Sequence, residues 1–245
     1  MSRPLSDGPL DLLAIAAHPD DAELTCGGTL ARAADEGYRT GILDLTRGEM
    51  ASRGTPEIRA EEAARAGAAL GVAVRANAGL PDARLENSQE ARRVVVEHLR
   101  RLAPGTVILP YPRGRHPDHR IASELARDAC FLAGLRRYEG GPGRRPTKIV
   151  YAMAYREDAV KPTFVVPLTE EQFRRKIDAA RCYASQFDGA TAAGEIFPAG
   201  QPLVERIETA SRHYGSLIRA PHGEPFLTDE TMRVDDIMSV GVASM

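Results

Sequence analysis

Between residues 11 and 133 one pattern repeats four times: a short apolar run, a polar loop, then a stretch of helical spacing. No other feature limits the fold as severely. The apolar runs are DLLAIAA (11–17), RTGILDLT (39–46), VAVRANAGL (72–80) and TVILPYP (106–112). A run without strict alternation is the pattern of a strand buried on both faces, as parallel sheets require. The helical stretches carry their own punctuation. Gly37 follows the first, Thr55-Pro56-Glu57 opens the second and Gly71 closes it, and Pro104 ends the third. The alternation predicts an α/β, Rossmann-like, doubly wound and mostly parallel sheet flanked by helices, with ligands at the strands' carboxyl ends.

Beyond a Gly/Pro/Arg loop at 138–147 the pattern changes to KIVYAMAY, TFVVPL and two helices near 169–187 and 202–219. These predict a smaller C-terminal strand and helix extension. The small-residue stretch 188–200 reads as a loop, and His222 as part of a Pro/Gly turn. A length of 245 residues suits one domain over 1–245, with 1–10 and 228–245 peripheral.

Two of the six histidines precede Pro-Asp, each just after an apolar run. The first motif offers His18, Asp20 and Asp21; the second offers His116, Asp118 and His119. Both fall where strands end, on the one face a doubly wound sheet uses for ligands, so they can converge. Residues three apart at a helix start share a side, which brings Asp21 towards His18 and His119 towards His116. Two imidazoles and a carboxylate suit Zn²⁺ with an open fourth position, although the same donors accept other divalent ions. The remaining acid and histidine are what amide hydrolysis needs: a base for water, and a donor for the oxyanion and the leaving amine. A single His-Pro-Asp is more often a capped turn. Two copies at equivalent strand ends reverse that reading. His98 and His213 lie within helical stretches and read as structural or exposed.

Composition excludes several classes. The net charge of −2 and the absence of Trp argue against a nucleic-acid partner. No run approaches the ~18 apolar residues of a membrane span. The N-terminal apolar run is cut short by His18 and acids, unlike a signal peptide. Cys26, Cys130 and Cys182 are odd in number and widely spaced, giving neither a disulfide framework nor a thiolate metal site. A reduced, cytoplasmic setting fits these readings.

The motifs AHPDDAELTCGGTLA, GILDLTRGEMASRGTPEIRAEEA, LPDARL and RHPDHRIASELA together resemble the LmbE-like (PIG-L) family of zinc-dependent N-acetylglucosaminyl deacetylases. The resemblance covers most of residues 11–226. KPTFVVPL and KIDAARCYASQF are similar to the branch that deacetylates N-acetylglucosaminyl malate in bacillithiol biosynthesis. It implies one Zn²⁺ per chain on His18, Asp21 and His119. Asp20 matches the general base that activates the zinc water. His116 matches the oxyanion-stabilising residue and general acid, with Asp118 orienting its cluster. Arg59 matches an arginine that binds the substrate's polar groups, and Asp82 a pocket residue near the sugar. Arg53 and Glu49 are weaker candidates on the flanking loop.

The resemblance also implies a small N-acetylated sugar substrate and a homo-oligomer. Some relatives carry a tyrosine two residues before the second motif's first histidine. Here that position is Gly114, with Tyr111 further back. A deacetylase for the mycothiol pathway or for chitooligosaccharides would share these motifs. A nucleotide-binding Rossmann-like module is the non-enzyme alternative. Against it, the first strand lacks a Gly-x-Gly-x-x-Gly turn, and only Gly27-Gly28 appears, deeper in the helix.

Overall fold

The structure, a computed structural model, describes residues 8–139, 141–153, 160–187 and 203–242. Each apolar run becomes a strand: β1 Leu12–Ala16, β2 Thr40–Thr46, β3 Val74–Leu80 and β4 Thr106–Pro110. Three later strands, β5 Lys148–Ala152, β6 Phe164–Leu168 and β7 His222–Leu227, extend the same sheet. The order is β3-β2-β1-β4-β5-β7-β6. Strands β1 to β5 pair in parallel, whereas β7 runs antiparallel to both β5 and β6. Ala14 faces Ile42 on one side and Ile108 on the other, so β1 and β4 are neighbours although about ninety residues separate them. The winding direction reverses between them. A crevice outside the carboxyl ends of such strands is where doubly wound sheets bind ligands.

The intervening helices are α1 Asp21–Asp35, α2 Pro56–Leu70, α3 Gln89–Leu102 and α4 Pro117–Ala133. Then come α5 Glu170–Arg181, the single turn α6 Ala184–Phe187, and α7 Leu203–Leu217. Their ends follow local chemistry. The Thr55 hydroxyl accepts from the Ile58 N–H with Pro56 at the first helical position, and Gly71 (φ 74°) closes α2 in the left-handed region. Thr169 and Gln172 form a reciprocal capping box on α5. Side chains alternate across the strands. Leu13, Leu43 and Val107 face Val95, Leu99 and Leu125, while Ala14, Ile42 and Ile108 face Leu30, Ala66 and Leu70. Among the described residues no helix is long and apolar enough to cross a membrane.

Helix α1 breaks at Cys26 (φ −138°, ψ 18°). A helix that restarts leaves N–H groups without intrahelical acceptors. Glu224 on β7 answers them, accepting from Gly28 N (2.9 Å), Thr29 N (2.6 Å) and the Thr29 hydroxyl (2.6 Å). The Lys176 ammonium of α5 adds a fourth donor at 2.5 Å. Gly28 is required by packing, since a Cβ there would overlap Leu168 Cδ1. Gly28 therefore joins helix to sheet, and its amide is committed to Glu224, not to a phosphate.

Two expectations change. His222 does not sit in a turn: it opens β7, is fully buried, and stacks on Phe173 with ring centroids 3.9 Å apart. Pro221 and Gly223 gave it turn chemistry, but pairing of His222 with Leu168 on β6 prevails. The helix expected over 169–187 divides into α5 and α6 at Cys182–Tyr183. The loop reading for 188–200 lies outside the described residues.

Candidate active site

β1 ends at Ala16, and the chain turns at once into α1. The turn is closed by its own residues: His18 N donates to Asp21 Oδ2 (2.9 Å) and Asp21 N to His18 O (3.3 Å). Asp20 occupies a position with φ 122° and ψ −30°. A non-glycine residue held there costs on the order of 1–3 kcal/mol, and persists only where surroundings fix it. Arg59, in the first turn of α2, does the fixing. It is buried (6% exposed), and its Nε and Nη2 donate to Pro19 O at 3.1 and 2.8 Å. Nη2 also donates to Asp20 Oδ2 at 2.8 Å. Gly48 (φ 68°) makes room, because a Cβ there would stand 2.7 Å from Arg59 Nη1. The guanidinium thus grips the turn from below.

Asp21 joins the two motifs. Its Oδ2 lies 3.2 Å from His18 Nδ1 and its Oδ1 lies 3.1 Å from His119 Nε2. Four ligands about 2.0–2.1 Å from a tetrahedral zinc stand about 3.3 Å from one another. Each separation matches that edge, but through a different oxygen of Asp21, and it is the donor types that fit the ion. The other ring nitrogen of His18, Nε2, faces Asp82 Oδ1 (3.1 Å) and Asp118 Oδ2 (3.3 Å). Carboxylates on the far nitrogen are the usual support of a metal-ligating imidazole. Among the described residues, the sets whose donor atoms all lie within 4.8 Å of one another are His18 with His116 and His119, and His18 with Asp82 and Asp118; Asp21 reaches His18 and His119 through different oxygens.

His116 caps α4, and its Nδ1 accepts from Asp118 N at 3.2 Å. In the neutral ring the proton then resides on Nε2, leaving a donor for an oxygen. Burial and the neighbouring rings of His119 and His18 hold this imidazole below its ordinary pKa. Its ring stacks on His119 with centroids 4.9 Å apart. Asp118 also accepts from Ala83 N (2.8 Å), tying α4 to the turn after β3.

The acids divide by environment. Burial pushes the Asp20 carboxyl up to about 7, against the pull of Arg59. Burial acts upward on Asp21 too, but the imidazoles of His119 and His18 outweigh it and hold this carboxyl well below the usual range. For His18, burial lowers the pKa while the carboxylates of Asp21 and Asp82 raise it to about 11.

Asp82 contacts His18 with one oxygen and accepts Met50 N (2.9 Å) with the other, while its own N–H donates to Glu49 Oε1 (2.8 Å). Glu49 therefore stitches the loops after β2 and β3 together. The Arg53 carbonyl accepts from Gln186 Nε2 (2.9 Å), on the far side of that loop. His98 pairs with Arg101 on α3 and plays no part in the site. The Met50 and Ala83 amides that complete these carboxylates had no signal in sequence, since any residue supplies an N–H. Tyr111 is buried and, with Gly114, lines a cavity beside Asp21 and His119.

A family model described as GlcNAc-PI de-N-acetylase (PIG-L) matches residues 13–130. The diacetylchitobiose deacetylase of Thermococcus kodakarensis is 30% identical over 219 residues, covering 84% of this chain and 78% of that protein. The 1D-myo-inositol 2-acetamido-2-deoxy-alpha-D-glucopyranoside deacetylase of Nakamurella multipartita is 37% identical over 139 residues, 51% of this chain and 45% of that one. Among solved structures, the conserved protein TT1542 from Thermus thermophilus superposes with a TM-score of 0.82 at 41% identity, covering 92% of this chain and 98% of that chain.

Proposed function

The chain belongs to the PIG-L family of de-N-acetylases, and from that premise we propose that it hydrolyses the acetamide of N-acetylglucosaminyl malate. The observation that carries the hydrolase reading is Asp21, whose two oxygens join His18 of the first motif to His119 of the second beside the fixed Asp20. A divalent ion held by His18, Asp21 and His119, zinc on this donor set, would supply Lewis acidity towards the acetamide carbonyl.

The chain's own residues do the rest. Asp20, fixed by Arg59, takes a proton from the attacking water as its oxygen bonds to the carbonyl carbon. His116 donates from Nε2 to the developing oxyanion. As the C–N bond breaks, the proton held by Asp20 passes to the leaving nitrogen, giving acetate and a free amine. Asp82 and Asp118 hold His18 in orientation from behind. Asp118 also anchors the His116 turn.

The malate aglycone is favoured over a neutral chitooligosaccharide by charge. Arg47 stands exposed on the loop after β2, and Arg113 exposed on the loop after β4. Guanidinium groups on the two loops that flank the motifs suit a dicarboxylate. The relatives named for diacetylchitobiose and for the inositol glycoside define the rival substrates. The test is hydrolysis of all three compounds by zinc-analysed protein. Failure on the malate glycoside alone moves the substrate to a rival, and failure on all three ends the deacetylase reading. This reading takes the chain as one cytoplasmic domain that assembles as a homo-oligomer, which light scattering checks.

A further inference from the structure

Between α1 and the carboxyl ends of β1, β4 and β5 lies a cavity of about 70 Å³. Asp21 and His119 form part of its wall, and Ala22, Cys26, Tyr111 and Ala152 contribute to the rest. Most of the remaining lining is aliphatic. Cys26 stands on this wall at the break in α1, and the restarted helix is held in place by Glu224.

We infer that this cavity receives the acyl group of the scissile amide, and that Cys26 and Ala152 set the longest acyl chain accepted. The inference rests on the deacetylase reading above and adds the acyl selectivity of that site. A carbonyl placed against Asp21 and His119 has two substituents. Its nitrogen carries the sugar, which is too large and too polar to enter an aliphatic space. Its alkyl group is neither, and the cavity adjoins the same two side chains. Size sets the limit. An apolar cavity of about 150 Å³ accommodates the six carbons of benzene, so about 70 Å³ gives room for roughly three, the carbonyl carbon among them. Acetyl and propionyl groups enter; butyryl does not.

One methylene in such a pocket discriminates by about 10–200-fold. The experiment compares N-formyl, N-acetyl, N-propionyl and N-butyryl forms of the preferred glycoside, by kcat/KM, for wild type, Cys26→Ala and Ala152→Val. In parallel, calorimetry follows acetate, propionate and butyrate binding to the zinc-loaded proteins. Wild type should fall off about tenfold or more between propionyl and butyryl. Cys26→Ala should move that limit outward by one carbon, and Ala152→Val should move it inward. If Ala152→Val fails to fold, Cys26→Ala alone decides the matter. An identical chain-length profile in wild type and Cys26→Ala, with zinc content and melting temperature retained, overturns the inference while hydrolysis itself stands. Absent hydrolysis of every amide, together with a carboxylate limit that shifts in Cys26→Ala, upholds the cavity and removes the deacetylase reading.

Discussion

Two groups of buried charge lie along α1, and they differ in how their oxygens are answered. At Glu224 the chain closes its own account: two backbone amides, one hydroxyl and one ammonium meet a single carboxylate. At the amino end of the same helix, Asp20, Asp21, Asp82 and Asp118 converge on one guanidinium and on imidazoles. The His18 ring, with carboxylates at both nitrogens, bonds to all of them only when protonated or when a cation takes one proton's place. The first group is finished by the fold, whereas the second is a donor set of the kind that holds a divalent ion. Burial of a carboxylate therefore does not locate function in this protein. Convergence of several carboxylates on the same imidazoles does.

The sharpest way to break this contrast is to remove a ligand. His119→Ala should lose bound zinc and turnover together, read by metal analysis after desalting; wild-type metal content in this variant would refute the ligand assignment. Asp20→Asn should keep its zinc and lose kcat by about 10²–10⁴-fold, the usual range for a general base. Retained kcat would transfer the proton abstraction to another group.

At the other group the expected loss is in stability. Glu224→Leu strands the Lys176 ammonium in a buried site, a change worth about 3–5 kcal/mol, or roughly 10 °C in Tm for a chain of this size. Lys176→Met combined with Glu224→Leu should recover part of it, and no recovery would mean that the helix restart, not the charge, dominates. Arg59→Gln sharpens the boundary between the groups. If Arg59 serves to fix Asp20, kcat should fall by about 10²-fold with KM and zinc content little changed. A raised KM with kcat kept would assign Arg59 to substrate instead.

Much of this was legible in the sequence because it is local. The four apolar runs, the Thr55-Pro56 start and the Gly71 stop are decisions made within a few residues, and the structure places strands and helix ends there. The two histidine motifs were legible as a pair because parallel strands bring their carboxyl ends to one face. What the sequence concealed depends on contacts across long separations. Glu224 meets Gly28 across 196 positions, and nothing near either residue marks the partnership. His222 was misplaced for the same reason, its strand being defined by β6. The pairing of Arg59 with Pro19 O uses a backbone carbonyl, which carries no residue signature.

The positive φ of Asp20 bears on how such a protein can change. Glycine would occupy that position without strain and would relieve the backbone at the very residue assigned to proton transfer. The same change would strip the buried Arg59 guanidinium of its carboxylate partner, a loss of about 3–5 kcal/mol that outweighs the backbone gain. Strain and charge are thus tied together at position 20. The aspartate that burdens the backbone is the one its arginine needs, so even a screen for heat resistance alone would keep it.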